Sequence, residues 1–106
     1  MGDAPDKPNP QGFINLSKKL LGSRLGASNI PIAYVGDTIA DINTVVNARK
    51  KIPSQKFISI GIAPPHLHLK SRVKERSAYE RNLQKEGAEI ILGSINELKN
   101  IDLDLF

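Results

Sequence analysis

The chain has no cysteine, and its only aromatics are two tyrosines and three phenylalanines. Without cysteine, disulfides and thiolate metal sites are excluded. That fits a reducing compartment. No apolar run approaches the roughly 18–20 residues that a membrane span requires. The opening residues, Met1-Gly-Asp-Ala-Pro-Asp-Lys-Pro8, lack the charged-then-apolar pattern of a signal peptide and are too acidic for a transit peptide. A cytoplasmic protein with no membrane partner is expected. No internal repeat, P-loop, Gly-x-Gly-x-x-Gly or serine nucleophile elbow is present.

What remains is ordinary globular material: 106 residues, 40% hydrophobic and 25% charged, with a net charge of +4. This length suits one domain over residues 1–106. The basic excess sits at Lys18-Lys19, Arg49-Lys50-Lys51 and residues 70–76. The first two runs fall near expected helix C-termini, where cations complement the helix dipole. No aromatic is interleaved with them as a base-stacking platform would need, so nucleic acid is not the expected partner.

Periodicity and punctuation divide the chain into alternating elements. Asn9-Pro10 reads as a helix start, with Asn9 at the N-cap and Pro10 at the first helical position. Phe13, Leu16 and Leu20 then form one apolar stripe, and Gly22 is the stop. Residues 32–35 form a short apolar strand ending at Gly36, and a helix follows over about 38–51, broken by Pro53. Residues 57–62 are a second strand, ended by Ala-Pro-Pro. A loop over 63–71 carries both histidines. A charged helix over about 73–86 stops at Gly87, a third strand covers 89–92, and a short helix over 94–99 closes the pattern. Helices alternating with short apolar strands predict an α/β fold, Rossmann-like, with a mostly parallel sheet and helices on both faces. Tyr34 and Phe57 are expected in the core, and Arg49 as a helix-terminal cation.

Ligands of open α/β sheets bind beyond the C-terminal strand ends. Gly36-Asp37 stands at such an end, where Gly36 permits a sharp turn and Asp37 projects its carboxylate into the crevice. Asp41 follows one helical turn later, so both acids face one region. A hard divalent cation would relieve their repulsion, and Mg²⁺ commonly takes one or two carboxylates with water and substrate phosphate. The plainer alternative is that Asp37 caps the following helix and Asp41 is a solvated first-turn acid.

Lys7-Pro8-Asn9-Pro10 resembles the third motif of the class I haloacid dehalogenase-like (HAD) hydrolases, and Gly36-Asp37-Thr38-Ile39-Ala40-Asp41 resembles the fourth. Residues 57–61 look like the strand after the fourth motif, and residues 83–98 like the family's closing segment. The resemblance runs from about residue 6 to residue 101. It implies a Mg²⁺-dependent phosphatase acting on a small phosphorylated metabolite through an aspartyl-phosphate. Asp37 would ligate Mg²⁺, Asp41 would support it through water or from behind, and Lys7 would neutralise the nucleophile and the phosphoryl group. Thr38 and His66 would face the substrate. Such roles suit phosphoryl transfer, in which positioning and charge neutralisation dominate.

The same resemblance identifies gaps. No Asp-x-Asp-x-[Thr/Val] follows an apolar strand near the N-terminus, and neither the Ser/Thr motif nor the cap has a counterpart. Asp102-Leu103-Asp104 closes the chain with no loop after it, so no nucleophile is assigned. A C-terminal part of a HAD-like core, inactive alone, is the expectation. The alternative is an interaction module with a degenerate HAD core, completed by a partner. In the family sheet the nucleophile strand pairs with the strand at 32–35, so here that strand should have an open edge and invite self-association or a missing N-terminal segment. His66 and His68, two apart with no third ligand, are a weak zinc pattern and fit an exposed or substrate-facing loop better.

Overall fold

Strand order decides where the helices lie. A computed structural model describes residues 9–27, 29–94 and 97. Three strands, β1 (Ile32–Gly36), β2 (Phe57–Ile62) and β3 (Ile90–Leu92), form a parallel sheet in the order β1-β2-β3. Ile32 pairs with Phe57 and Gly36 with Gly61, while Ile60 to Ile62 pair with Ile90 to Leu92. Three helices, α1 (Gln11–Leu21), α2 (Ile39–Lys51) and α3 (Val73–Glu86), precede the three strands in turn.

Alternation along the strands separates two apolar layers. Ile32 and Phe57 join Phe13, Ile14 and Leu21 of α1 and Val45 and Ala48 of α2 in one cluster, with Tyr34 packed against it. Ile42, Leu83 and Ala88 form a second cluster, with Tyr79 and Ile91 against it. The other strand face carries Ile58, Ile60 and Leu92 with Ala33, Val35, Ile62 and Ile90, to which no residue of α1, α2 or α3 contributes. Among the described residues α1, α2 and α3 lie on one face; Ile58, Ile60 and Leu92 on the other face are buried as well, and the helix expected over 94–99 falls mostly outside the described residues. The reason α2 and α3 share a face is topological. Right-handed crossovers through α2 and α3 step in the same direction across the sheet, so both land on the same side.

Two expectations for α1 also change. The helix begins one residue later, at Gln11, with Pro10 in the cap position and the Asn9 side chain accepting from the Gln11 N–H at 3.0 Å. The buried stripe is Phe13, Ile14, Ser17 and Leu21, whereas Leu16 and Leu20 are 59% and 69% exposed. A helix can bury Phe13-Leu16-Leu20 only if something covers that side, and among the described residues β1 is the edge strand there. Gly22 and Gly87 end α1 and α3 with φ of +56° and +127°, conformations that favour glycine.

At the N-terminal end of the sheet, Gln55 is buried and pins the segment leading to β1. It accepts from Gly26 N–H at 2.9 Å and donates to the Ile30 carbonyl at 2.8 Å. Arg49, in the last turn of α2, donates to the Phe57 carbonyl at 3.0 Å and pairs with Glu89, which accepts from Ser59 N–H at 3.1 Å. Burial lowers the Arg49 pKa from its ordinary value. Arg49 is thus a tie across the start of β2, at the opposite end of the sheet from Asp37. The 63–71 loop contains short 3₁₀ turns at Pro65–Leu67 and Lys70–Arg72. The expected last helix lies outside the described residues except at 94 and 97, and Lys7, Asp102 and Asp104 lie outside them altogether.

Candidate metal corner at the end of the first strand

The backbone leaves the sheet at Gly36 without a positive φ, so glycine is needed there for space rather than for the turn. A β-carbon at position 36 would lie 2.8 Å from Asp41 Cγ and 2.9 Å from Asp41 Oδ2. The next turn is closed by a reciprocal capping box. Thr38 Oγ1 accepts from Asp41 N–H at 3.1 Å, and the Asp41 carboxylate accepts from the Thr38 N–H at 3.2 Å. The N-cap is Thr38, not Asp37, and α2 starts at Ile39.

Asp41 is only 4% exposed, so it is not a solvated first-turn acid. Its Oδ1 accepts from the Tyr34 hydroxyl at 3.0 Å. Its Oδ2 accepts from Asp37 N–H at 3.2 Å and from the Thr38 hydroxyl at 2.9 Å. These bonds, together with the positive end of α2, compensate a carboxylate taken out of water. They also commit both oxygens inward.

Asp37 is half-buried, and its main chain is held on both sides. Its N–H donates to Asp41, and its carbonyl accepts from the Tyr79 hydroxyl on α3. Burial, and then the charges of Asp37 and Asp41, raise the Tyr79 pKa above the ordinary tyrosine value. Among the described residues no hydrogen bond or ion pair engages the Asp37 carboxylate itself. The two acids thus differ in kind: Asp41 is consumed by the fold, and Asp37 is the one with coordination capacity left.

Both acids line a cleft of about 630 Å³ at the C-terminal ends of the strands, together with Tyr34, Val35, Ile62 and Pro65. His68 lines it too, with Nε2 2.7 Å from the Ala63 carbonyl. A carbonyl only accepts, so Nε2 carries the proton and Nδ1 is the other ring position available for further bonding. His66 is exposed and is not part of the cleft wall, and the Thr38 hydroxyl is taken up by the cap. Of the residues expected to face substrate, neither reaches the cleft; His68 does. Ala-Pro-Pro ending β2 is the signal that could have chosen between the histidines, because it turns the chain back over the strand end before His68 is reached.

No group of three or more His, Asp or Glu side chains converges among the described residues. The corner nonetheless suits a hard divalent cation, which needs only one or two carboxylates when water and a phosphate supply the rest. Asp37 would hold the ion, and Asp41 would fix the Asp37 main chain behind it. No helix among the described residues is long and apolar enough to cross a membrane. The chain matches no family model, no curated protein and no solved structure.

Proposed function

We propose that this chain carries the magnesium half of a phosphoryl-transfer site of HAD-like type, serving a phosphatase of small phosphorylated metabolites. The observation that carries the reading is the division of labour between Asp37 and Asp41. Among the described residues one carboxylate is unengaged at the cleft, and the other is spent on holding the first in place. Mg²⁺ there would supply Lewis-acid stabilisation of phosphoryl oxygens. Lys7 would add charge neutralisation, as the motif resemblance implies. The attacking carboxylate would arrive on a strand laid along the edge of β1 that no described strand pairs with, and without it the chain has no phosphatase activity.

Supporting that last step, an apolar groove of about 360 Å³ runs between α1 and β1, lined by Phe13, Leu16, Leu20, Ile32 and Ala33. Tyr34 and Val35 line both this groove and the cleft, so a strand in the groove would end beside Asp37. The same groove supports the second reading, an interaction module with a degenerate HAD core that uses the edge without catalysis.

The test is amide NMR of the chain titrated with Mg²⁺. Shifts concentrated at residues 36–38 and abolished by Asp37→Asn are expected. No response at those residues would sink the metal reading. Mg²⁺-dependent phosphatase turnover by the chain alone, lost in the same variant, would overturn the claim that it is inactive by itself.

A further inference from the structure

The charged helix α3 looks at first like a solvated cover, since Leu83 is its one fully buried residue. Two of its side chains nevertheless reach over the cleft end of the sheet and seize main-chain carbonyls. Tyr79 donates to the carbonyl of Asp37, which follows β1. Arg76, one turn earlier, donates to the carbonyl of Gly93, which follows β3, at 3.0 Å. Arg76 is itself steadied by Glu80 at 3.1 Å. The helix therefore ties together the exits of β1 and β3, and Asp37 and Ser94, which follow those strands, both line the cleft.

Of these ties, the one at Asp37 bears on chemistry. The peptide of a residue sets the direction of its Cα–Cβ bond, so fixing the N–H and the carbonyl of Asp37 aims its carboxylate. Asp41 fixes the first and Tyr79 the second. The Tyr79 ring is itself held in the α2–α3 seam against Ile42, Leu83 and Ala88, so its hydroxyl is presented from a packed base. Groups that orient metal ligands without touching the metal commonly change affinity by about 10–100-fold when removed.

Resting on the metal reading above, we propose that Tyr79 is a positioning residue for Asp37, its hydroxyl setting the direction from which Asp37 meets a divalent cation. It reaches the corner from 42 residues further along the chain. It makes metal affinity depend on the seating of α3.

The experiment measures Mg²⁺ affinity by amide NMR and urea stability, both on the whole chain, for the natural sequence, Tyr79→Phe and Asp37→Asn. Phenylalanine keeps the ring packing and removes only the hydroxyl. A Kd at least about tenfold weaker in Tyr79→Phe, with the urea midpoint retained, is the expected result. A Kd within twofold of the natural chain would overturn the proposal and leave the metal reading standing. So would a weaker Kd matched by an equal loss of folding stability, since that describes a structural residue only. No Mg²⁺ response in the natural chain would remove the metal reading and the proposal together. Chain labelled with ¹³C at tyrosine Cζ gives a second reading without touching Tyr79. Mg²⁺ is expected to move the Tyr79 resonance, and not to do so in Asp37→Asn; an unmoved resonance at saturating Mg²⁺ overturns the proposal.

Discussion

Gly36 and Asp41 are packed so closely that the Asp41 carboxyl occupies the space a side chain at position 36 would need. Those atoms belong to the first turn of a helix and to a carboxylate bonded on both oxygens, so they cannot swing away cheaply. Gly36→Ala is expected to destabilise the chain by about 1–3 kcal/mol, as overpacking does, read as a lower urea midpoint. An unchanged midpoint would mean that Asp41 can relocate and that the corner is not rigid.

The two aspartates are expected to separate cleanly on mutation. Asp41→Ala removes a buried acceptor, a capping-box partner and the bond to Tyr34, and should cost about 1–3 kcal/mol of stability. Asp37→Asn touches a carboxylate that no described group engages, and should change stability by less than about 0.5 kcal/mol. Chemical denaturation of both variants checks this, and equal losses would contradict the division of roles.

Leu16 and Leu20 are 59% and 69% exposed and line one groove with β1, the edge strand among the described residues. The isolated chain should therefore self-associate, visible as concentration-dependent sedimentation. Each leucine buried at such a contact is worth about 1.5–3 kcal/mol, so Leu16→Lys with Leu20→Lys should weaken association by about 100-fold or more. A natural chain that stays monomeric at every concentration, with one cooperative thermal transition, would refute this.

Tyr79 predicts a pH dependence with a definite sign. Its pKa is raised in the folded state, chiefly by burial and then by Asp37 and Asp41. Below the unfolded tyrosine value of about 10 both states keep the proton and its contribution to stability is complete. Above it the unfolded chain releases the proton first, and the contribution is lost as pH rises through the folded value. Urea midpoints should fall above about pH 10 and fall less steeply in Tyr79→Phe. Identical slopes in the two chains would show that the hydroxyl titrates as it does in water.

Much of the architecture was legible because it depends on short-range chemistry. Gly22 and Gly87 stop helices by tolerating positive φ, Pro53 and Pro64-Pro65 punctuate, and the β-rich residues 57–62 form a strand in their own right. The corner at residues 36–41 was legible for the same reason, since a strand end and two acids one turn apart are neighbours in sequence, although the cap is Thr38 rather than Asp37. Local spacing could not say which acid would be consumed. That was decided by Tyr34 reaching Asp41 across the strand-to-helix turn and by Tyr79 reaching Asp37 from another helix.

Periodicity chose the wrong stripe on α1, because spacing marks which residues could share a face but not whether a neighbour covers it. Phe13, Leu16 and Leu20 are helically related, yet the packing of α1 against α2 and β1 turns Ile14 and Leu21 inward and leaves Leu16 and Leu20 exposed. Likewise the face on which α2 and α3 pack depends on strand order, which no single element encodes. The sequence by itself determined the order of the three helices and three strands, their approximate limits and the acidic corner, since these rest on backbone conformation and hydrogen bonds within a few residues. Only the tertiary structure decided which carboxylate the fold engages, which histidine joins the cleft and which face of α1 is buried, because each rests on contacts between elements brought together by folding.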